Sequence, residues 1–177
     1  MTYPNYYLRE NDEFPMVAGR ALSYGFDAAG RLNSVADAGA SYLSGVLYNA
    51  AGQFTYAQTP AGVENYQYNA AGQLVRQTTT QGGAPVVDIE YRFAAANDGR
   101  LWQRKDWVTG EEITYTYDSL GRLSAAATTS AAWGLSWTYD GFGNRLQQSV
   151  TKGSAPVHSV SVNGLTNRII GQSYDAN

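Results

Sequence analysis

The chain has 177 residues, no cysteine, and 12 Lys+Arg against 15 Asp+Glu, a formal net charge of -3. That balance argues against a nucleic-acid surface, which needs a basic excess to neutralise phosphates, while 44% hydrophobic and 13% aromatic residues argue against disorder. Lack of cysteine removes disulfides, thiolate catalysis and Cys-based zinc sites and leaves the compartment open. No stretch approaches the roughly 20 apolar residues of a membrane helix, and Met1-Thr2-Tyr3-Pro4 opens without a secretory leader pattern.

The residues in excess, 19 Gly and 14 Tyr, favour many short strands joined by tight turns. In chain order, residues 1–19 are expected to be an irregular lead-in, interrupted by an insertion that holds Arg9-Glu10-Asn11-Asp12-Glu13. From residue 20 a repeat governs the sequence. Tyr24-Gly-Phe26-Asp27-Ala-Ala-Gly30-Arg31-Leu32 recurs as Leu47-Tyr48-Asn49-Ala-Ala-Gly52-Gln53-Phe54 and as Tyr66-Gln-Tyr68-Asn69-Ala-Ala-Gly72-Gln73-Leu74. Tyr91-Arg-Phe93 begins a copy with a longer turn that ends Asn97-Asp98-Gly99-Arg100-Leu101. Two more follow: Tyr115-Thr-Tyr117-Asp118-Ser-Leu-Gly121-Arg122-Leu123, and Trp137-Thr-Tyr139-Asp140-Gly-Phe-Gly143-Asn144-Arg145-Leu146. The glycines at 30, 52, 72, 99, 121 and 143 are 22, 20, 27, 22 and 22 residues apart. A degenerate seventh copy lies around Val162–Ile169. Ser173–Asn177 reads as the start of an eighth, so residues 20–177 are expected to be about seven units of a longer array.

Each copy has a physical reading. Aromatic, any, aromatic is a period-two strand pattern with both rings on one face. The following Asp or Asn accepts a backbone N–H two residues on and nucleates a type I turn, and the glycine supplies the positive φ of a bulge that restores strand twist. The structural turn positions are therefore Asp27 and Gly30, Asn49 and Gly52, Asn69 and Gly72, Asp118 and Gly121, and Asp140 and Gly143. This count sets Phe26 against Leu32, Tyr24 against Ser34, Tyr68 against Leu74 and Tyr117 against Leu123. Arg31, Gln53, Gln73 and Arg122 are left on an opposite, polar face. In the last full copy the extra residue is expected to widen the bulge and keep Leu146 on the apolar face, since an unpaired Arg145 charge there would be costly. Variable return turns such as Thr59-Pro60-Ala61-Gly62 and Thr109-Gly110 close each unit. Two strands per unit give about fourteen in an up-and-down meander with almost no helix.

The recurrent Tyr-x-Tyr-Asp-x-x-Gly-Arg-Leu resembles the signature of YD repeats, also called RHS (rearrangement hotspot) repeats, over about residues 20–177. The resemblance implies an all-β fold: consecutive antiparallel hairpins forming one long twisted, curved sheet, here an open segment. In bacterial RHS proteins and insecticidal toxin complexes such a sheet spirals into a shell around a C-terminal toxin. In teneurins and wall-associated proteins related repeats sit on the cell surface. By resemblance the protein is secreted or on the bacterial cell surface, and its partners are neighbouring repeats, the remainder of a longer parent chain, a toxin cargo or a glycan. The self-cleaving aspartyl segment of larger members finds no match in the sequence.

Nothing else carries a site. The Asp/Asn series offers one oxygen-bearing side chain per turn where calcium needs six to eight oxygens. His158 stands alone, and adjacent Glu111 and Glu112 point to opposite strand faces, which does not suit a paired-carboxylate mechanism. No cofactor is expected. Trp133 and Trp137 share parity with the aromatic face, Trp107 covers a turn end, and Trp102, out of step with Leu101, is the candidate surface contact. The expectation is a non-catalytic structural segment of a shell. The alternative is a carbohydrate- or protein-binding adhesion module that uses exposed aromatics. Open strand edges would favour edge-to-edge self-association or fraying.

Overall fold

A computed structural model describes residues 22–37 and 39–175; the lead-in and its insertion lie outside the described residues. Every regular element among the described residues is a strand: β1 (Ser23–Phe26), β2 (Leu32–Asp37), β3 (Ala40–Tyr48), β4 (Phe54–Thr59), β5 (Gly62–Tyr68), β6 (Leu74–Gln81), β7 (Ala84–Phe93), β8 (Leu101–Asp106), β9 (Glu112–Tyr117), β10 (Leu123–Thr128), β11 (Trp133–Tyr139), β12 (Arg145–Gly153) and β13 (His158–Ser159). Sheet order is chain order from β1 to β13, with no crossover. Among the described residues there are thirteen strands rather than fourteen, because after β13 the degenerate seventh copy retains only an isolated bridge, Val162 to Ile169. The chain divides into two compact units, Met1–Glu90 and Tyr91–Asn177.

In the first unit, β1 to β7 pair antiparallel in succession. Phe26 faces Leu32, Tyr48 faces Phe54 and Tyr68 faces Leu74, the register that a type I turn plus bulge imposes. One expectation is corrected: Tyr24 lies opposite Val35, not Ser34. The return strand carries a second bulge one residue past the Leu position. Gly25 pairs with Ser34, Leu47 with Tyr56 and Gln67 with Arg76, which leaves Asn33, Thr55 and Val75 out of the ladder. Val46 and Ala57 are the apolar side chains fully buried here. The remaining packing comes from half-buried rings, with Phe54 edge-on to both Tyr48 (6.1 Å) and Tyr66 (5.0 Å).

The second unit repeats this plan from β8 to β13. Tyr117 faces Leu123, the next pair is Thr116 with Ala125, and Ser124 takes the bulge. In the last copy the turn keeps its length, so Arg145 moves into the place opposite Tyr139 and Leu146 takes the bulge. The expected wider bulge is therefore corrected: the pairing is the same as at Tyr117 and Leu123, with Arg145 standing in the Leu place. Arg145 escapes burial because its side chain is exposed, while Leu146 is half-buried. Ile113 and Ala126 are the buried apolar residues, joined by Gln103 and Thr128.

Candidate functional site

The recurrent turn positions are where the polar groups of the sequence converge. In the first unit, the Asp27 Oδ1 accepts the backbone N–H groups of Ala29 and Arg31, both at 2.9 Å. Asn49 does the same for Ala51 and Gln53, and Asn69 for Ala71 and Gln73, all at 3.0 Å. In the second unit Asp118 holds Leu120 and Arg122, and Asp140 holds Phe142 and Asn144. Each turn is closed by a backbone bond from its glycine N–H to the Asx carbonyl, such as Gly121 to Asp118 at 2.9 Å, with φ of +78° at Gly121. In the degenerate copy Asn163 accepts from Leu165 and Thr166, and Asn167 at φ 54° stands where glycine would.

These bonds set the electrostatics. The backbone N–H of Arg31 holds the Asp27 carboxyl below the usual Asp range, and the backbone N–H of Arg122 does so for Asp118. At Asp140 the side-chain N–H of Asn144 is the main cause. Among the described residues no group of three or more His, Asp and Glu is placed to hold a metal ion.

Arg31, Gln53, Gln73 and Arg122, expected simply to line a polar face, have a more specific placement. Each residue following the glycine returns to the turn's first side chain, matched in charge. Arg31 Nε donates to Asp27 (2.8 Å) and Arg122 Nε to Asp118 (2.6 Å), while the Asn49 and Asn69 side-chain amides donate to Gln53 (2.9 Å) and Gln73 (2.7 Å). The same side chains then reach the next repeat. Arg31 lies 4.6 Å above the Tyr48 ring and Arg122 4.7 Å above the Tyr139 ring. Gln53 Nε2 donates to the Gly72 carbonyl at 2.7 Å and Arg122 Nη1 to the Asp140 carbonyl at 2.9 Å.

A third connection comes from the motif's second tyrosine. Tyr48 Oη donates to the Leu32 carbonyl (2.8 Å) and Tyr68 Oη to Phe54 (2.9 Å) in the first unit. In the second, Tyr117 donates to Leu101 (2.8 Å) and Tyr139 to Leu123 (2.7 Å). The acceptor always belongs to the Leu position of the preceding repeat. Beside Leu32, Phe54 and Leu123 a bulge interrupts the ladder, and a buried carbonyl left without a donor is costly. The tyrosine hydroxyl supplies the donor, so bulge and tyrosine are two halves of one joint. Sequence reasoning found the ring but not this use of its hydroxyl; the signal was the fixed Leu-to-Tyr interval of 16 residues in Leu32/Tyr48, Leu101/Tyr117 and Leu123/Tyr139.

The remaining candidates are placed as follows. Trp133 and Trp137 donate their indole N–H groups to Glu111 (3.0 Å) and Gln148 (2.8 Å). Glu112 instead pairs with Arg92 at 2.6 Å, so the adjacent glutamates serve different partners. His158 is exposed in β13. Trp107 is exposed with the Lys105 ammonium 4.0 Å from its ring. Trp102 occupies the position after Leu101 and is 44% exposed.

Short hairpins joined in series through backbone carbonyls define a class: a repeat scaffold, whose stability comes from nearest-neighbour contacts. No family model matches the chain. It is 29% identical over 135 residues to the probable deoxyribonuclease RhsA of Dickeya dadantii (strain 3937), an alignment covering 68% of this chain and 9% of that protein. The probable deoxyribonuclease RhsB of the same organism matches equally. Among solved structures, the TcdB2-TccC3-Cdc42 complex superposes with a TM-score of 0.70 over 85% of this chain and 9% of that one, at 20% identity. The Photorhabdus luminescens Tc holotoxin pore gives 0.71 over 86% of this chain and 9% of that one, also at 20%. The chain thus spans about a tenth of the length of the proteins it matches. The Rhs relatives and the shared fold support the resemblance to an RHS, or YD, repeat array.

Proposed function

We propose that the chain is a non-catalytic length of wall in a longer RHS-repeat protein, which encloses or presents a toxin or other cargo supplied elsewhere in the parent. The observation that carries this reading is the use made of the motif. Its Asp or Asn, its Arg or Gln and its second Tyr are engaged in closing a turn or joining one repeat to the next. Such engagement favours a mechanical role, since it commits these side chains to holding the backbone of their own turn and of the neighbouring repeat. The nuclease named in the relatives is then a property of segments beyond the tenth that this chain matches.

Two experiments test it. The purified chain, incubated with supercoiled plasmid and magnesium, leaves the plasmid intact; nicking that copurifies with the folded chain would overturn the non-catalytic reading. In the parent, the segment after the repeats resists protease until the denaturant concentration that unfolds the array; cleavage at the rate of the isolated segment would overturn enclosure.

A further inference from the structure

The chain contains one Asn-Gly step, Asn163-Gly164, at the tip of the degenerate seventh copy, where both residues are exposed. An asparagine before glycine is open to attack on its side-chain Cγ by the following backbone nitrogen, because no β-carbon shields that nitrogen. The structure adds three features at this position. Oδ1 of Asn163 accepts the N–H groups of Leu165 (2.9 Å) and Thr166 (3.2 Å), so two donors stand where negative charge gathers when Cγ is attacked. The side-chain amide of Asn163 and the backbone N–H of Gly164 make no hydrogen bond among the described residues, which leaves the departing and the attacking group both unfastened. A β-carbon built on Gly164 would meet nothing within 4 Å, so the peptide has room to turn toward the side chain.

The other turns supply the contrast. Asn49 and Asn69 hold the same pair of backbone donors, but each is followed by alanine, and its amide donates to Gln53 (2.9 Å) or Gln73 (2.7 Å). The two Asp-Gly steps, Asp98-Gly99 and Asp140-Gly141, carry carboxyls held below the usual Asp range by the side chains of Arg100 and Asn144, and an ionised carboxylate resists attack by an amide nitrogen. We propose that Asn163 is a site of self-modification, converting to aspartyl and isoaspartyl residues through a cyclic imide with Gly164. Gly164 N loses its proton to water and bonds to Cγ; the Cγ–Nδ2 bond breaks and ammonia leaves with a proton. Water then opens the ring, at Cγ to give aspartate or at the main-chain carbonyl to give isoaspartate, so the sum is amide plus water to acid plus ammonia. The aspartyl product keeps a turn of the kind seen at Asp118. The isoaspartyl product routes the main chain through Cβ and displaces the carbonyl that accepts the Asn167 N–H at 2.8 Å. Asn167 in turn accepts the side-chain amide of Asn144 in the preceding turn, so this product unfastens the seventh copy from the sixth. The site is independent of the scaffold reading: an inert wall can carry it, and its failure leaves the wall intact.

The test ages the folded chain at mildly alkaline pH in water enriched in heavy oxygen. Each asparagine is then read by peptide mapping with electron-transfer fragmentation, which separates isoaspartate from aspartate. Asn163 is expected to convert first among the described asparagines, at least about tenfold faster than Asn49 or Asn69, with heavy oxygen and isoaspartate in the product. Its rate is expected to be no more than about tenfold below that of an unfolded peptide of residues 158–170. Gly164→Ala, which the open space at that position allows to fold, slows conversion by at least about tenfold. The isoaspartyl fraction exchanges amide hydrogens faster across Val162–Ile170 than the unaged chain. Earlier conversion at another described asparagine, protection beyond that limit, a rate indifferent to Gly164→Ala, or aspartate without isoaspartate would each overturn the site. Equal exchange in the isoaspartyl fraction would overturn the unfastening.

Discussion

Removing the hydroxyl of Tyr117 while keeping its ring isolates the inter-repeat joint. Tyr117→Phe deletes a 2.8 Å bond to the Leu101 carbonyl in a half-buried setting. A neutral hydrogen bond of this kind contributes about 0.5–1.5 kcal/mol net, and an unsatisfied carbonyl raises the loss toward the upper part of that range. We expect about 1 kcal/mol, which for a unit of this size lowers the melting temperature by roughly 4–8 °C. Tyr139→Phe, acting at the next joint, should cost about the same, and the double variant about 2 kcal/mol. Tyr115→Phe is the control, since that hydroxyl makes no hydrogen bond among the described residues, and its change should stay within about 0.3 kcal/mol. Urea unfolding followed by circular dichroism reads all four. If Tyr117→Phe and Tyr115→Phe are equally mild, the hydroxyl joint does not hold the repeats together.

Other outcomes follow from the same geometry. Gly121→Ala places a side chain at φ +78° with only the end of Arg100 nearby, so strain of about 1–2 kcal/mol is expected. Gly62→Ala would set its Cβ 2.2 Å from the Thr80 carbonyl oxygen and should destabilise more, by about 3 kcal/mol or above; comparing their denaturation midpoints checks the order. Asp118→Asn should lower the midpoint, and adding Arg122→Gln should recover part of it by recreating the Asn/Gln match of the first unit, a coupling that a double-mutant cycle measures. Because the Asp27, Asp118 and Asp140 carboxyls are held below the usual 3.8, their contribution is complete above that value and is lost as pH falls through their depressed values. Acid unfolding should therefore begin only below about pH 4. Tyr66, pushed up to about 12 by burial and by its bond to Glu64, contributes below pH 10 and loses its contribution as pH rises toward 12. Burial also raises Tyr115 and Tyr117, so absorbance titration at alkaline pH should show a late-ionising group of tyrosines, of which Tyr66→Phe removes one.

Much of this architecture was legible because it is local. Period-two aromatics, an Asx, and a glycine three residues on specify a hairpin through contacts within ten residues, so Phe26/Leu32, Tyr68/Leu74 and Tyr117/Leu123 could be counted off directly. The second bulge could not: at Ser124 it lies beside Leu123, whose carbonyl accepts the Tyr139 hydroxyl of the next repeat, and no pattern within one motif records that. For the same reason Tyr24 was expected one residue away from its true partner. Arg31 and Arg122 looked like solvated face residues, since the motif's spacing records neither their return to Asp27 and Asp118 nor their reach across to Tyr48 and Tyr139. Trp102 was visible as a residue out of step, and the structure leaves it exposed.

Hydrogen exchange by mass spectrometry on wild type and Tyr117→Phe addresses the joint between repeats most directly. The account predicts faster exchange on both sides of the lost bond, in β8 (Leu101–Asp106) and across the β9–β10 hairpin alike, because one hydroxyl ties two hairpins. Faster exchange confined to the residues next to Tyr117, or no change in β8, would contradict it.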